Sequence, residues 1–359
     1  MKKLTLLLTC FALLALAPAA SAHGGLKVVA EGLDNPRGID IDPTTGAIYV
    51  AEAGRGGAGP CVDGPEGGRA CLGNSGAVTR ISHGHQRQVV RGLPSFAGEG
   101  TGAEATGPQD VDVAGFGFGT LVTGLGADPA ERDAVGAPAA GLGRLFAFTP
   151  FGRVHRIADL AGFEGQADPD GQGADSNPTS VLNERHGFVA IDAGGNDLLR
   201  VGPRGNISTI AVFPNTPIAD PPEGFPPAYQ AVPTAVAKGP DGAYYVSELT
   251  GFPFPKGGAD IYKVKPGRAP QVYASGLTNV TDLAFGRDGS LYVVQISKNG
   301  LLSGDPAGEL IKIARNGTRK SVASDGLVEP YGVAIGRHGE IYVTNHSTSA
   351  GEGQVVRVG

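Results

Sequence analysis

The chain has 359 residues, and 59 of them are glycine and 27 are proline. Residues that interrupt helices at this frequency exclude a helical bundle or a coiled coil. Charged residues make up 18% and hydrophobic residues 41%, which excludes a disordered acidic polymer and leaves a chain able to bury a core. The net charge of -6, with no basic block, lacks the electrostatic footprint of nucleic-acid binding, so we expect no nucleic-acid partner.

The start of the chain predicts a signal peptide. Two lysines precede an apolar run over residues 4–17, and a small-x-small cleavage site ends at Ala22. The apolar run is shorter than the roughly 20 residues that cross a bilayer, which disfavours a membrane anchor. We therefore expect residues 1–22 to be removed and residues 23–359 to form one secreted domain without a membrane span.

Two cysteines follow the leader, Cys61 and Cys71, in a glycine-rich stretch. A pair at this spacing in an exported chain predicts a disulfide. The alternatives, a metal pair or a catalytic thiol, would need a nearby histidine or a second cysteine pair. Closing a loop of about ten residues contributes roughly 2–3 kcal/mol on the chain-entropy model, so we expect the bond to brace a loop rather than the whole fold.

One pattern recurs along the chain: an apolar alternation, a turn containing glycine, and a second apolar segment. The second segments are centred on Tyr49, Leu121, Val189, Tyr245, Tyr292 and Tyr342. Two further apolar segments follow each copy except the last, which has one, and four short strands per repeat are typical of a β-propeller. We predict an all-β fold with six blades, in which an N-terminal strand at residues 26–30 closes the last blade and removes its open edge.

The predicted connections differ between the two faces of the propeller. Turns on one face are short, as at residues 42–46 and 239–242, whereas the other face receives the long insertions. Loops longer than about 12 residues are usually functional or disordered. We call the face with the insertions the looped face and predict that function resides there. The insertions span residues 54–76, 97–107, 124–143, 160–177, 214–231, 250–259 and 297–308.

Polar side chains align at the strand ends on this face, where they would surround the mouth of the central channel. They are Arg37, Glu52, Gln109, Asp110, Thr179, Asp192, Thr234, Glu248, Thr281, Asp282, Gln295, Tyr331, Asn345 and His346. Such a ring predicts a site for a polar ligand or a hard cation. The alternative is that these groups cap strand ends and satisfy loop backbones. Within the ring, a calcium site is predicted at Glu52, Asp192, Glu248 and Asn345.

A second acidic pattern comprises Asp168, Asp170 and Asp175. It resembles the start of a calcium loop, yet an EF-hand would need glutamate where Thr179 stands. A calcium loop of another type and an ordinary solvated acidic loop therefore remain as alternatives. The sequence contains no nucleophile-elbow or zinc-protease motif, so no motif names a reaction.

The segments at residues 32–38, 168–178 and 329–332 resemble exported propellers of the ScyD/ScyE type, named from scytonemin pigment clusters. The resemblance covers nearly the whole chain after the leader and implies a six-bladed fold and export. Thr179 departs from it, because the family commonly has tyrosine there. More distantly, the blades resemble NHL-repeat and SMP-30/TolB-like propellers, which include calcium-dependent lactonases and peptide- or RNA-binding scaffolds. No catalytic set is carried over, since fold does not imply function.

Our leading hypothesis is a monomeric, exported binding scaffold whose looped face and channel mouth take a small molecule, a protein or a cell-surface partner. One alternative is a calcium-dependent hydrolase or lactonase of the SMP-30 type, with calcium as Lewis acid. Another is an accessory enzyme of scytonemin-type biosynthesis. A quinone-dependent sugar oxidoreductase is disfavoured, because it needs histidine and arginine at the mouth, where only Arg37 and His346 qualify.

Overall fold

A computed structural model describes residues 25–63 and 68–359. The predicted signal peptide, residues 1–22, lies outside the described residues. Within the described part of the chain, no helix is both long enough and apolar enough to cross a membrane.

Six antiparallel sheets, here called blades 1 to 6, account for most of the strands; blade 1 has five strands and the other blades have four. The first strand of the chain is β1 (Lys27–Asp34). Blade 1 contains β2 (Pro36–Ile41), β3 (Ile48–Glu52), the short added β4 (Cys61–Asp63), β5 (Arg69–Ser82) and β6 (His85–Gly98). Blade 2 contains β7 (Pro108–Gly115), β8 (Phe118–Thr123), β9 (Arg144–Phe148) and β10 (Val154–Asp159). Blade 3 contains β11 (Pro178–Glu184), β12 (Gly187–Asp192), β13 (Asp197–Val201) and β14 (Ile207–Val212).

The second half of the chain repeats this arrangement. A two-stranded ribbon of β15 (Thr216–Pro217) and β16 (Ala228–Tyr229) precedes blade 4. Blade 4 contains β17 (Pro233–Lys238), β18 (Tyr244–Glu248), β19 (Ala259–Val264) and β20 (Gln271–Leu277). Blade 5 contains β21 (Val280–Phe285), β22 (Leu291–Gln295), β23 (Glu309–Ile313) and β24 (Arg319–Ala323). Blade 6 contains β25 (Val333–Ile335), β26 (Ile341–Asn345), β27 (Ala350–Val358) and the N-terminal β1.

The first strands of the six blades form a closed ring. β2 contacts β7, and the same contact continues through β11, β17, β21 and β25, which returns to β2. Side chains alternate between the two faces of a strand, so each blade can bury apolar residues against both of its neighbours. Tyr49 of blade 1 packs in this way with Leu121 and Phe148 of blade 2. The prediction of a six-bladed β-propeller is confirmed.

The N-terminal strand closes the ring as predicted, although its bounds differ from the prediction. β1 pairs antiparallel with β27, so the first strand of the chain becomes the outermost strand of blade 6. The strand runs over Lys27–Asp34 rather than the predicted residues 26–30. Ala30 and Leu33 are buried, whereas Val28 is 44% exposed and makes little contribution to the core.

The insertions of the looped face contain structure of their own. β5 and β6 extend far beyond the blade as a hairpin, and the Cys61–Cys71 disulfide joins directly opposed residues of β4 and β5, which confirms the predicted bond. Two α-helices, α1 (Pro129–Val135) and α2 (Leu160–Ala167), are capped at their first turns by Asp128 and Asp159. The insertions also contain 3-10 helices at Ala137–Ala139 and Leu301–Ser303.

Candidate functional site

The strand register places the predicted ring residues at one end of the blades. In blade 1 the start of β2 at Pro36 pairs with the end of β3 at Glu52. In blade 4 Pro233 pairs with Glu248 in the same way. The first strand of each blade therefore enters, and the second strand leaves, at the looped face.

The side chains at the ends of the second strands fasten the segments that lead into the first strands. Each accepts a hydrogen bond from a backbone N–H just before a first strand begins. These bonds join Glu52 Oε2 to Asp34 N at 2.8 Å, Asp192 Oδ1 to Asn177 N at 2.6 Å, Gln295 Oε1 to Thr278 N at 2.7 Å and Asn345 Oδ1 to Val328 N at 2.7 Å. The capping alternative is therefore correct for these four residues.

The calcium site predicted at the mouth is not assembled. Among the described residues, one group of three carboxylates brings ligand oxygens within 4.8 Å of one another, and it contains none of Glu52, Asp192 and Glu248. Each of these three acids instead accepts a backbone hydrogen bond beside it: Glu52 from the last residue of β1, Asp192 from the residue just before β11, and Glu248 from a residue of β19. In the part of the chain that the structure describes, these three acids do not form one ligand set, so this geometry does not support the predicted calcium site with Asn345 or the lactonase alternative that depends on it.

Glu248 is an isolated buried acid in blade 4. Its Oε2 accepts a hydrogen bond from Asp260 N at 2.9 Å, while its Oε1 has no partner among the described residues. Burial, together with the charge of Asp260, raises the pKa of Glu248 to about 8. The side chain therefore holds a proton at neutral pH.

Three threonines at the entry of the first strands join neighbouring blades. Thr234 Oγ1 donates to Val280 O at 2.9 Å, and Thr281 Oγ1 donates to Tyr331 O at 2.7 Å. Thr179 makes a longer contact of the same kind, 3.5 Å to the carbonyl of the next blade's first strand. These hydroxyls join neighbouring blades, and each commits its single proton to that contact. Gln109 is also buried, beside Gly124 of its own blade.

Arg37 and Tyr331 form the distinctive pair at the mouth. The Arg37 guanidinium carbon lies 5.0 Å from the centre of the Tyr331 ring, which is the geometry of a cation–π contact. Arg37 Nη2 donates to Ala105 O at 2.9 Å, but the Nε–H is buried without a partner in the described part of the chain. Burial lowers the pKa of Arg37, an effect partly offset by Tyr331, Glu104 and Glu329.

Asp110 and Asp282 follow the ring residues Gln109 and Thr281 in the first strands of blades 2 and 5. Both act electrostatically on Tyr331. Asp110 accepts from Val181 N at 2.9 Å, and Asp282 accepts from Val333 N at 2.7 Å, so each carboxylate also fastens its blade to the next. Both side chains are half-buried. Burial raises the pKa of Asp282 to about 7 and that of Asp110 well above its usual value.

Sequence reasoning missed two further carboxylates in the same position on neighbouring strands. Asp40 accepts from Val113 N at 2.7 Å, and Asp112 accepts from Asn183 N at 2.8 Å. Both are half-buried, and burial raises the pKa of each. Asp40 stands two residues after Gly38, and Asp112 stands two residues after Asp110. Side chains two residues apart in a strand lie on the same face, so this spacing was the signal that pointed to both acids.

His346 follows the end of β26 and has a left-handed backbone, with φ of 53°. It is half-buried, and its backbone N–H donates to Val328 O at 2.8 Å. The backbone role is clear, whereas no hydrogen bond joins its imidazole to the Arg37–Tyr331 pair among the described contacts.

The acidic pattern in the insertion before blade 3 is assembled in part. Asp168 and Asp170 each bring a carboxylate oxygen within 4.8 Å of the other and of Glu164, a residue that sequence reasoning did not select. Asp175, the third predicted member, is exposed and lies outside this group. The cluster thus forms around a helix residue with no counterpart in the other repeats.

Comparison with known proteins supports the fold and leaves the function open. No protein-family model and no curated protein matches the sequence. A streptogramin B lyase structure aligns over 93% of this chain and 97% of its own, with 11% identity and a TM-score of 0.52. A glucose dehydrogenase aligns over 93% and 99%, with 14% identity and a TM-score of 0.54. The PQQ-bound aldose sugar dehydrogenase of Streptomyces coelicolor aligns over 93% and 97%, with 13% identity and a TM-score of 0.54.

These likenesses establish the six-bladed propeller and nothing finer. At such identities a shared fold carries no reaction from one protein to another. The neighbours include a lyase and dehydrogenases, so the architecture itself supports more than one chemistry. The resemblance to ScyD/ScyE-type propellers is not among the relationships that the comparisons report.

Proposed function

We propose that the protein is an exported binding propeller that takes a small polar molecule carrying a carboxylate at the channel mouth of the looped face. The observation that carries the proposal is the buried, unpartnered Nε–H of Arg37 beside the Tyr331 ring. Leaving a buried donor unpaired costs about 1–3 kcal/mol, and more for a charged group. A ligand that accepts this hydrogen bond would remove that cost.

A carboxylate is the acceptor that best fits a guanidinium. It accepts two parallel hydrogen bonds from the nitrogen fork of arginine, and the charge of Arg37 has no ion-pair partner within 4 Å in the described part of the chain. The Tyr331 ring lies 5.0 Å from the guanidinium carbon and restricts where the guanidinium lies, which prepares it for an acceptor.

The rest of the ligand would face Asp110 and Asp282. Because burial raises the pKa of both groups, one complementary ligand group is a hydroxyl, which accepts from the protonated form and donates to the ionised form. An ammonium, which only donates, complements the ionised form. Asp110 lies against Gly38, the residue that follows Arg37, because a Cβ atom at Gly38 would overlap its carboxylate. An amino acid or hydroxy acid therefore satisfies both ends of the site.

Export is part of the proposal, and the disulfide supports it. Disulfides persist in oxidising compartments and are rare in the cytosol. The Cys61–Cys71 bond joins directly opposed strand residues in a hairpin on the looped face.

The test is a ligand screen by thermal denaturation of the chain that begins at residue 23. We expect at least one of glutamate, tartrate and gluconate, at millimolar concentration, to raise the Tm. Arg37→Gln should abolish that shift, and Arg37→Lys, which keeps the charge and loses the fork, should retain part of it. Arg69→Gln is the matched control, because Arg69 is an exposed arginine on the same face.

Two results would overturn the proposal. One is a ligand-induced shift of equal size in Arg37→Gln and in the unaltered protein. The other is that none of the three acids raises the Tm, while addition of the same acids changes amide chemical shifts only on the face with the short turns.

A further inference from the structure

Five carboxylates converge where α2 meets the turn between β12 and β13, and we call them the blade 3 acid cluster. They are Glu164, Asp168, Asp170, Asp192 and Asp197. The first three bring oxygens within 4.8 Å of one another. Asp192 and Asp197 face each other at the ends of the β12–β13 pair, and Asp192 and Asp170 both act electrostatically on Glu164.

Protein groups satisfy only part of this cluster. Asp192 accepts hydrogen bonds from Ser176 Oγ and Asn177 N, each at 2.6 Å. Asp170 accepts from the Asn196 side chain at 2.9 Å. By contrast, Glu164 Oε1 and both carboxylate oxygens of Asp197 have no partner among the described residues.

The unpartnered groups are almost completely buried. Glu164 is 1% exposed and Asp197 is 0% exposed, so water does not solvate them from the surface. Burying an unpaired carboxylate is strongly unfavourable, and adjacent like charges increase the penalty. Burial together with the charges of Asp192 and Asp170 raises the pKa of Glu164 to about 8.

No protein cation compensates the cluster in the described part of the chain. Two buried arginines, Arg132 and Arg144, form ion pairs with Asp159 at the start of α2, at 2.7 Å and 2.8 Å. Neither of them pairs with a member of the cluster. The described part of the chain therefore supplies no cation to these acids, so either protonation or a bound ion must compensate their charge.

We infer that the blade 3 acid cluster is a calcium site that fastens α2 and the loop after it to blade 3. Calcium binds six to eight oxygens at about 2.3–2.6 Å, so oxygens on opposite sides of one ion lie up to about 5 Å apart. Glu164, Asp168 and Asp170 meet this limit. Asp197 lies outside this group of three, and its two unpartnered oxygens supply negative charge beside the site. Asp192 also supplies negative charge while its own oxygens hold the loop.

Calcium fits this donor set better than magnesium does. Magnesium usually keeps several of its waters and takes only one or two carboxylates, whereas calcium accepts many carboxylates in flexible geometry. Three carboxylates lie within reach of one ion, and Glu164 among them is almost completely buried, which leaves little room for retained water.

Gly195 is the residue that lets Glu164 reach the cluster. A Cβ atom at this position would lie 2.6 Å from Glu164 Oε2, well inside contact distance. The backbone of Gly195 has no left-handed φ, so its conformation does not call for glycine, and the close approach of the carboxylate does. Alanine at this position would displace a ligand without removing a charge.

The experiment measures calcium binding by calorimetry and Tm with calcium or with EDTA, on the chain that begins at residue 23. We expect one ion per chain and a Tm increase of about 3–4 °C at a calcium concentration a hundredfold above the dissociation constant. Asp197→Asn and Glu164→Gln should each weaken binding at least tenfold, as should Gly195→Ala. Glu131→Gln, an exposed acid on the nearby helix α1, is the control and should bind calcium unchanged.

The stability of Asp197→Asn relative to the unaltered protein, measured in EDTA and in calcium, distinguishes an ion site from a structural pair of acids. Without calcium, Asp197→Asn removes an uncompensated buried charge, so this variant should be as stable as the unaltered protein or more stable. With calcium, the unaltered protein should be the more stable of the two. Binding that survives both Asp197→Asn and Glu164→Gln would overturn the inference, as would a Tm that is the same in calcium and in EDTA.

Discussion

Leu33 tests the closure of the propeller most sharply, because it lies at the junction between the last blade and the first. It is 2% exposed and packs with Ile39 and Val50 of blade 1 and with Val355 of blade 6. Leu33→Ala removes this contact and leaves a cavity, a change that typically costs about 2–5 kcal/mol. Val28, in the same strand, is 44% exposed, so Val28→Ala should cost less than about 0.5 kcal/mol.

The corresponding shifts in Tm follow from the size of the domain. With an unfolding entropy of about 2.1 cal/mol/K per residue, a domain of this length loses roughly 1.4 °C for each kcal/mol. Leu33→Ala should therefore lower the Tm by about 3–7 °C, and Val28→Ala by less than about 1 °C. Calorimetry at one protein concentration and pH measures both.

Truncation of the strand tests the pairing of β1 with β27 separately from the Leu33 contact. A chain that begins at Gly32 keeps Leu33 and Asp34 but loses residues 27–31 of β1, so most of the outer edge of β27 has no partner, and an unpaired edge promotes association. Compared with a chain that begins at residue 23, it should elute earlier in size exclusion and aggregate on heating. Equal effects of Leu33→Ala and Val28→Ala, or a truncated chain that stays monomeric with an unchanged Tm, would refute the closure.

Three further predictions follow from the inner strands and the hairpin. Because burial raises the pKa of Asp282 to about 7, the folded state binds a proton that the unfolded chain has released between about pH 4 and 7. The group therefore makes the free energy of unfolding of the unaltered protein fall as the pH rises through that range. Because Asp282→Asn lacks this group, its free energy of unfolding should rise by one to a few kcal/mol relative to that of the unaltered protein between about pH 4 and 7. A pH-independent difference in urea titrations would contradict this. Thr281→Val should cost about 0.5–1.5 kcal/mol in urea denaturation by removing the hydrogen bond to Tyr331 O, whereas the exposed Thr318→Val should cost almost nothing. Joint replacement of Cys61 and Cys71 by alanine should cost at most about 2–3 kcal/mol, and thiol titration of the denatured, unreduced chain beginning at residue 23 should find no free thiol.

The fold was predictable because the sequence repeats one pattern of short apolar segments and glycine-containing turns, which predicts strands. Six copies of one pattern set the blade count, and the shortage of one strand at the end predicted the role of β1. The side chains that β1 buries were less predictable. Register shifts between Val28 and Ala30 and between Glu31 and Leu33 break the two-residue alternation, so Ala30 and Leu33 face the core although three positions separate them.

The candidate sites were less predictable, because the sequence gives residue types and not the direction of their side chains. Glu52 and Asp192 stand where a metal ligand could stand, yet each turns to a backbone N–H beside it. Asp197 had a signal, since a short turn after Asp192 places it opposite that residue. Glu164 had none, because it lies on a helix inside an insertion that the other blades do not share.

The distinction between structural and ligand-binding groups rests on which buried polar atoms lack a partner. Asp110 and Asp282 lie in the channel, yet their hydrogen bonds to the next blade already explain why the ring keeps them. Arg37 also makes a structural bond, from Nη2 to Ala105 O, but that bond leaves its buried Nε–H without a partner in the described part of the chain. This donor is the observation on which the proposed anion site rests.

The blade 3 acid cluster shows the same imbalance with the opposite sign. Its free oxygens belong to Glu164 and Asp197, and they require a cation. An anionic ligand at Arg37 cannot neutralise the acids, and a cation bound by the acids cannot satisfy an N–H donor. The two sites therefore take separate ligands, and Asp197→Asn should abolish the calcium response of the Tm while leaving the response to a carboxylate ligand at Arg37 intact.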